Sequence, residues 1–515
     1  MHIPDKISKW IRAKNWTLHE HQIRMFKSSE CSSQLLIAPT GSGKTLAGFL
    51  PTIADLYLNP SQKLHTLYIS PLKALASDIK RNLETPIKEL ELKISVEDRT
   101  GDTKQSIKKK QRVIPPNILL TTPESLALLM SYPEAPSIFS SLKRIIVDEI
   151  HAITESKRGD QLFLAISNIR KYCLDAKIIG LSATVNDPSI IAGWLAPAND
   201  CDIILSDPGL VPEISILKTS EPPPWAGAGG LYSIPEIITE IEAHKTTLIF
   251  HNTRAQAEIF FHNLWLANSK NLPIAIHHGS LDKEQRNQVE TAMVRGELRA
   301  VVCTGSLDLG IDWGSVDLVI QIGAPRQVKR LIQRIGRANH SHSGASKALI
   351  VPANRLEVLE CFMALDAIYE NKLDSEVQTQ IPLDVVCQHL LLVACAGPFL
   401  PVDVFNEIIT LAKYKNLSRE DFDQCLDFCI SGGYALKKYN QWHRLIQTSD
   451  GSVKLRDPRI ANRLRMNAGT IQDSDTLKVR YKSKRGKSNG STIGEVEEAF
   501  AVSLTPGDTF LIGGK

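Results

Sequence analysis

The segment Ala38-Pro39-Thr40-Gly41-Ser42-Gly43-Lys44-Thr45 has the residue types of a phosphate-binding loop. The apolar run Leu35-Leu36-Ile37 precedes it and an amphipathic stretch, 46–58, follows, so the order is strand, loop, helix. Gly41 and Gly43 let backbone N–H groups close around the β- and γ-phosphates. Lys44 adds a point charge, and Thr45 offers a hydroxyl to Mg²⁺. Ala38 stands where such loops usually begin with glycine, so the motif takes its weight from its company. Asp148-Glu149-Ile150-His151 follows the apolar run Ile145-Ile146-Val147. Two adjacent carboxylates at a strand end make a metal-and-base arrangement. Asp148 would hold Mg²⁺ through water, and Glu149 would orient and deprotonate an attacking water. A capped strand end is the plainer alternative, and Lys44 in the same α/β segment tips the balance toward NTP hydrolysis.

Three further segments fit such a site. Ser182-Ala183-Thr184 follows the β-type run 177–181. Elsewhere these would be turn residues, but here they are placed to hydrogen-bond the acidic pair and couple nucleotide state to lobe movement. Gln333-Arg334-Ile335-Gly336-Arg337-Ala338-Asn339-His340 sets two arginines one helical turn apart, where a helix would give them a common face. Reaching across from a second lobe, Arg334 and Arg337 would stabilise charge on a transferring γ-phosphoryl group. A trans-acting arginine of this kind is worth ~10³–10⁵ in rate. A solvated basic helix face is the alternative, which Gln333 and Gly336 disfavour. Gly310-Ile311-Asp312, after the turn Cys303-Thr304-Gly305-Ser306, would let backbone approach a ribose or a phosphodiester.

The elements that must position these residues fall into two α/β segments. In the first, β-type runs at 35–38, 66–70, 118–121, 144–148 and 177–181 alternate with helical patterns, which predicts a parallel sheet covered by helices. Pro222-Pro223-Pro224 and glycines among 227–230 mark a linker. The second segment repeats the plan at 247–250, 274–278, 300–304, 318–322 and 348–351. Two such lobes predict a ligand bound in the cleft between them. Helical stretches at 385–395, 402–414 and 419–430 follow, then Gly432-Gly433. After Gly469 the pattern turns β-like at 478–481, 500–504 and 509–512. The predicted organisation is lobe 1 at 1–210, linker at 211–232, lobe 2 at 233–370, a winged-helix-like helical domain at 371–455 and the start of a β-rich domain at 456–515. Because an apolar strand runs directly into Gly513-Gly514-Lys515, the sequence is expected to be a fragment cut early in that last domain.

At 515 residues the chain exceeds what one core can organise. Its 43% hydrophobic and 23% charged content are ordinary for a globular protein. No apolar run approaches a membrane span and the first residues lack a signal pattern, so a cytoplasmic, nucleoid-associated location with no membrane partner is expected. The nine cysteines form no CxxC pair, which argues against disulfides and zinc. The net charge of +4 does not by itself call for nucleic acid. The charge is clustered, however, with Lys104, Lys108, Lys109, Lys110 and Arg112 in one run and six basic residues around Tyr481 in 478–487.

In this order the motifs resemble those of superfamily 2 helicases with two RecA-like lobes. They look most like the large-helicase-related branch, and within it the ligase-associated DEXH-box DNA helicases of the DNA-damage response. The resemblance is carried by 38–45, Ser70-Pro71-Leu72-Lys73-Ala74-Leu75, Thr100-Gly101-Asp102, Thr121-Thr122-Pro123-Glu124-Ser125-Leu126, 148–151, 182–184, Ile249-Phe250-His251-Asn252-Thr253-Arg254, His278-Gly279-Ser280-Leu281, 305–312 and 333–340. It implies an α/β fold of two tandem RecA-like parallel-sheet lobes, then a winged-helix module and the start of a β-rich domain.

The resemblance also implies roles. Gln22, with Trp16 and His19 before it, would read adenine, making ATP the nucleotide and Mg²⁺ its metal. Thr40, Gly41, Ser42, Gly43, Lys44 and Thr45 would cradle the phosphates, and Gly310, Asp312 and Ile320 would approach the nucleotide from lobe 2. Gln333, Arg334 and Arg337 would complete the catalytic set with Lys44, Asp148 and Glu149. His340 replaces the third arginine of many relatives, a departure typical of this branch. Lys73, Thr100, Gly101, Thr121, Thr122, Arg254, His278, Gly279, Thr304 and Ser306 would hold a sugar-phosphate backbone without reading sequence. The implied activity is ATP-dependent 3′-to-5′ translocation on single-stranded DNA and helicase action in repair. Tailed duplexes or RNA:DNA hybrids would be substrates, and a DNA ligase or nuclease a partner. Backbone gripping equally admits an RNA or RNA:DNA helicase, or a double-strand translocase that remodels without unwinding. A non-catalytic NTP switch is disfavoured by the joint presence of Lys44, Glu149 and Arg337.

Overall fold

Runs of Leu, Ile and Val that can be buried on both faces become the interior strands of two parallel sheets. The computed structural model describes residues 3–39, 41–183, 185, 187–196, 201–207, 210–227, 229–281, 283–308, 316–338, 345–370, 372, 374, 380–439, 442–469, 476–480, 492–497 and 501. The chain forms two units, 1–208 with 375–471 and 209–374 with 472–515.

The sheet of the first unit contains β1 (Ser33–Ile37), β2 (Thr66–Ile69), β3 (Val96–Arg99), β4 (Ile118–Thr121), β5 (Arg144–Val147), β6 (Lys177–Ser182) and β7 (Cys201–Leu205). Their order is β3-β4-β2-β5-β6-β1-β7, parallel throughout. β1, β2, β4 and β5 are buried along their whole length, which is why they read as unbroken apolar runs. Sequence pattern misses β3 and β7 because they are the two edges. Val96-Glu97-Asp98-Arg99 is only partly buried, and its charges blunt an edge that would otherwise pair with another chain. One face of the sheet packs on apolar side chains of the helices Lys44–Leu58 and Lys73–Glu89, among them Phe49, Leu50, Ile79 and Leu83. The other packs on the helices Pro123–Met130 and Lys157–Arg170.

The helix Lys157–Arg170 is buried from Gly159 to Ile169, so something must also cover its outer face. That cover is the helical module expected after the second lobe. The helices Leu383–Ala396, Pro401–Ile408 and Arg419–Ser431, with the hairpin β14 (Leu445–Gln447) and β15 (Val453–Leu455), share a continuous core with lobe 1. Buried Asp160 accepts from Lys413 Nζ at 2.8 Å and from the Tyr414 hydroxyl at 3.0 Å. Ser167 Oγ donates to the Glu407 carbonyl at 3.1 Å. Residues 456–471, expected to open the β-rich domain, instead carry the helix Ala461–Met466 in this same unit. Arg465 Nη2 from that helix donates to the carbonyls of Ser131 at 2.7 Å and Cys395 at 3.0 Å. The expected helix 402–414 is two pieces, Pro401–Ile408 and the 3₁₀ turn Ala412–Tyr414.

The second unit contains β8 (Glu213–Ile216), β9 (Thr246–Phe250), β10 (Ile274–His277), β11 (Ala300–Cys303), β12 (Val316–Ile322) and β13 (Lys347–Val351), ordered β10-β11-β9-β12-β13-β8 and parallel. β8 lies inside the span expected as linker, 211–232. It is an edge strand whose alternating Glu-Ile-Ser-Ile buries only one face, so it lacks the apolar run of an interior strand. In the same unit β16 (Thr476–Arg480) pairs antiparallel with β17 (Thr492–Glu497). Residues 502–515, which include the β-like run 509–512, lie outside the described residues. Among the described residues no two cysteines form a disulfide. Among the described residues no helix is long and apolar enough to cross a membrane.

Glu407 makes the contact between the helical module and lobe 1 sensitive to pH. Burial pushes its carboxyl up to about 7, with Lys171 at 4.0 Å only partly opposing this. The folded state therefore binds a proton more tightly than the unfolded chain. This stability is fully present below the ordinary carboxylate value and is lost as pH rises to about 7. Glu407→Gln should raise the thermal unfolding midpoint at pH 8 and leave it near wild type at pH 4.5, as differential scanning fluorimetry would record.

Candidate functional site

β5, β6 and β1 are neighbours, so whatever follows their carboxyl ends converges. The phosphate-loop candidate follows β1. Gly43 sits at φ 77°, and a Cβ there would lie 2.4 Å from Gln22 Nε2, so glycine alone fits. Gln22 Nε2 donates to the Gly43 carbonyl at 3.1 Å, and its Oε1 accepts from the His19 N–H at 2.9 Å. His21 Nε2 donates to the Ser42 carbonyl at 3.0 Å. The helix Glu20–Lys27 is thereby clamped to the loop, with both ends of the Gln22 amide engaged. Lys44 is buried and donates to the carbonyls of Ala38 at 2.9 Å and Pro39 at 3.3 Å. Ser42 Oγ donates to the Pro39 carbonyl at 2.7 Å, Gly41 has φ 80°, and Thr45 lies in the first turn of the helix Lys44–Leu58. Thr40 lies outside the described residues.

The acidic pair follows β5, and both carboxylates are buried. Asp148 Oδ2 accepts from the Tyr68 hydroxyl at 2.5 Å and Oδ1 from the Glu149 N–H at 2.8 Å. Burial, and then the adjacent Glu149 charge, raise the Asp148 carboxyl above the usual range, while Tyr68 and Lys44 act against them. Tyr68 is invisible to a search for catalytic motifs. A tyrosine within a fully buried strand nonetheless announces a hydroxyl that needs a partner. Glu149 is left-handed (φ 46°, ψ 42°), which turns the chain sharply into the helix Ile150–Thr154.

The predicted contact of Ser182 with the acids is indirect. Ser182 Oγ lies 3.0 Å from His151 Nδ1, and the Ala183 N–H donates to the same nitrogen at 3.3 Å. A backbone N–H can only donate, so Nδ1 accepts and the ring proton sits on Nε2, 3.5 Å from Glu149 Oε2. The end of β6 therefore approaches Glu149 only through this imidazole. Thr184 lies outside the described residues.

In the second unit the arginine pair does not share a helix face. The helix Val328–Ile335 contains Gln333 and Arg334 and ends there. Arg337 follows in tight turns, its N–H bonded to the Arg334 carbonyl at 2.9 Å. Buried Arg334 donates from Nε to Asp308 Oδ1 at 2.7 Å and from Nη1 to Gln321 Oε1 at 2.6 Å, with its guanidinium 4.9 Å from the Phe250 ring centre. Its charge is thus consumed inside its own lobe, which corrects the arginine-finger expectation for Arg334. Ile320 is also corrected, because its side chain is fully buried in the apolar core with Ile249 and Ile322. Gly310, Asp312 and His340 lie outside the described residues.

The candidate backbone contacts divide likewise. Lys73 Nζ meets Asp102 Oδ1 at 2.8 Å in an exposed pair beside Gly101, worth at most about 1 kcal/mol. Thr100 orders the same turn, its N–H donating to Thr103 Oγ1 at 2.9 Å. Thr121 is fully buried with its hydroxyl on the Arg99 carbonyl, and buried Thr122 caps the helix Pro123–Met130. Arg254 Nη1 donates to Ser280 Oγ at 2.7 Å beside Gly279. His278 is held by Glu258 at 2.6 Å, and Thr304 precedes the turn Gly305–Leu307 without a side-chain hydrogen bond to it. The side chain of Ser306 lies outside the description.

Comparison with known proteins finds three family matches along the chain. Residues 19–191 match the DEAD/DEAH box helicase family, 231–341 the helicase conserved C-terminal domain, and 366–515 the winged helix domain of the large helicase-related protein. The ATP-dependent helicase Lhr-Core protein 2 of Thermococcus barophilus is 36% identical over 548 residues, matching 100% of this chain and 62% of the relative. The Lhr helicase/uracil glycosylase of Escherichia coli is 31% identical, over 93% of this chain and 35% of its own length. The chain thus spans about three fifths or less of these relatives. The structure of Mycobacterium smegmatis helicase Lhr bound to ssDNA and AMP-PNP matches with a TM-score of 0.82 at 32% identity, over 92% of this chain and 63% of that one.

Arg334→Gln should lower the stability of the second unit by about 3 kcal/mol, because it leaves the buried Asp308 carboxylate with only the exposed Arg330 guanidinium, 3.9 Å away. Denaturant unfolding measures this. An unchanged midpoint would return Arg334 to a purely nucleotide-directed role.

Proposed function

Because the chain belongs to the large-helicase-related branch of the superfamily 2 helicases, we propose that it is an ATP-hydrolysing motor that translocates 3′-to-5′ on single-stranded DNA and separates strands during repair. The observation that carries this is the buried Asp148–Glu149 pair at the end of β5, with Lys44 and Ser182 at the ends of neighbouring strands. Thr45 and Asp148 are hard oxygen donors of the kind Mg²⁺ takes, and a dication beside two buried carboxylates would relieve their mutual repulsion. Bound ATP with its Mg²⁺ supplies the phosphoryl group to be transferred and offsets charge on its oxygens.

The chain's own residues do the rest. Lys44 exchanges the carbonyls of Ala38 and Pro39 for phosphate oxygens, and the glycines at 41 and 43 let backbone N–H groups approach them. Glu149 orients the attacking water and accepts its proton, while His151 holds the Glu149 carboxylate and reports its state to Ser182. Gln22 ties adenine recognition to the shape of the loop. Arg337, with Gln333 nearby, supplies positive charge to the transferring group. Thr100, Gly101 and Lys73 in the first lobe, and Arg254, His278 and Gly279 in the second, grip the strand backbone. The M. smegmatis relative was solved with ssDNA, which supports DNA as the track. The resemblance supports the polarity, the nucleoid location and a DNA ligase or nuclease as partner.

Glu149→Gln should cut ATP turnover at least ~10²-fold while nucleotide binding persists, and normal hydrolysis by that variant would refute the assigned base. Strand displacement on DNA:DNA and RNA:DNA duplexes with 3′ or 5′ DNA tails tests the substrate. Displacement from 3′ tails is expected. Displacement from 5′ tails alone would overturn the polarity, and stimulated hydrolysis without displacement would favour a remodelling translocase.

A further inference from the structure

The basic run 104–112 plays no part in the mechanism above, yet three of its five cations line a cavity. This cavity, about 700 Å³, lies between lobe 1 and the winged-helix module within the first unit. Six cations line it: Arg99, Lys108, Lys109 and Arg112 from lobe 1, Lys454 and Arg465 from the module. Glu134 is the one carboxylate in the lining, 3.6 Å from Arg112. Tyr132 is contacted by two of the guanidinium groups, Arg112 at 4.1 Å and Arg465 at 4.3 Å from its ring centre. Arg465 is fixed by the carbonyls of Ser131 and Cys395, and Arg99 by the Lys108 carbonyl at 2.9 Å. Both are held in place by acceptors that carry no charge.

So much positive charge around one carboxylate calls for an anion. Burial, followed by the neighbouring Arg99, also lowers the Lys108 ammonium, with Asp102 acting against them. The cavity is too large for one phosphate and is continuous with a turn already given to a strand. Arg99 immediately precedes Thr100, and Lys108 Nζ donates to the Gly101 carbonyl at 3.1 Å. We propose that this cavity is a second grip on the phosphodiester backbone, taking the segment of strand that continues past the Thr100–Gly101 turn toward the winged-helix module. The inference rests on the reading that lobe 1 holds a nucleic-acid strand. Its physical sense is that a module sharing a core with lobe 1 adds contacts that move with that lobe as a rigid piece.

The test uses the whole chain, with the exposed pair Lys109→Gln/Lys454→Gln and fluorescence anisotropy of an oligo-dT strand across a salt series. Each lost phosphate contact on a single strand should reduce the magnitude of the log K against log salt slope by ~0.7, so the double variant should lose ~1.4 and bind roughly 25-fold more weakly at 0.1 M salt. An unchanged slope, with wild type binding normally, overturns the second grip and leaves the motor reading intact. No strand binding by wild type overturns both. Tripolyphosphate serves as a free-anion probe. Saturable binding of it by wild type but not the variant, with the DNA slope unchanged, assigns the cavity to a soluble polyanion and overturns the strand. Equal thermal midpoints for variant and wild type would establish that the slope reports contacts rather than folding.

Discussion

Two carboxylates buried side by side at the end of β5 set the terms for the first lobe. Asp148 and Glu149 repel each other in a place where water cannot screen them. Their balance comes from three directions, each fixed by sheet order. β2 borders β5 and brings the Tyr68 hydroxyl to Asp148. β6, on the other side, brings Ser182 to His151 and so His151 to Glu149. β1 borders β6 and places the loop that carries Lys44. The parallel strand order thus brings all three groups to the acidic pair.

The second lobe shows how a chemically suggestive residue can be spent on structure. Arg334 fits an arginine-finger pattern, but Asp308 and Gln321 occupy its guanidinium, and its burial makes the arrangement costly to undo. Arg334 thus locks the end of the helix Val328–Ile335 to the sheet and sets where the chain turns into Arg337. Thr121 and Ile320 are similar, one bonded to a carbonyl and the other held in the core. Position in a motif does not separate a residue that touches a ligand from one that shapes the wall around it.

Much of the fold is legible in the amino-acid sequence because interior strands are apolar on both faces. β1, β2, β4, β5, β9 and β11 fall within a residue or two of the predicted runs. The edges β3, β7 and β8 escape because an edge strand need bury only part of itself. The candidate phosphate loop and the acidic pair are visible in the sequence because each follows directly on an apolar strand. Tyr68 is hidden in an apolar run, and the Asp160–Lys413 contact joins residues 253 apart that no local pattern connects. That contact, with the shared core, makes the winged-helix module part of the first lobe rather than a separate appendage.

The most direct test of the central claim is the rate of ATP hydrolysis by the intact chain with Mg²⁺, in the presence and absence of single-stranded DNA. If the acidic pair, Lys44 and the strand-gripping turn form one machine, hydrolysis should need Mg²⁺ and rise severalfold when the strand binds. Mg²⁺-dependent hydrolysis that ignores the strand would contradict the coupling through His151 and Ser182. Nucleotide binding without hydrolysis in either condition would contradict the account of the acidic pair itself.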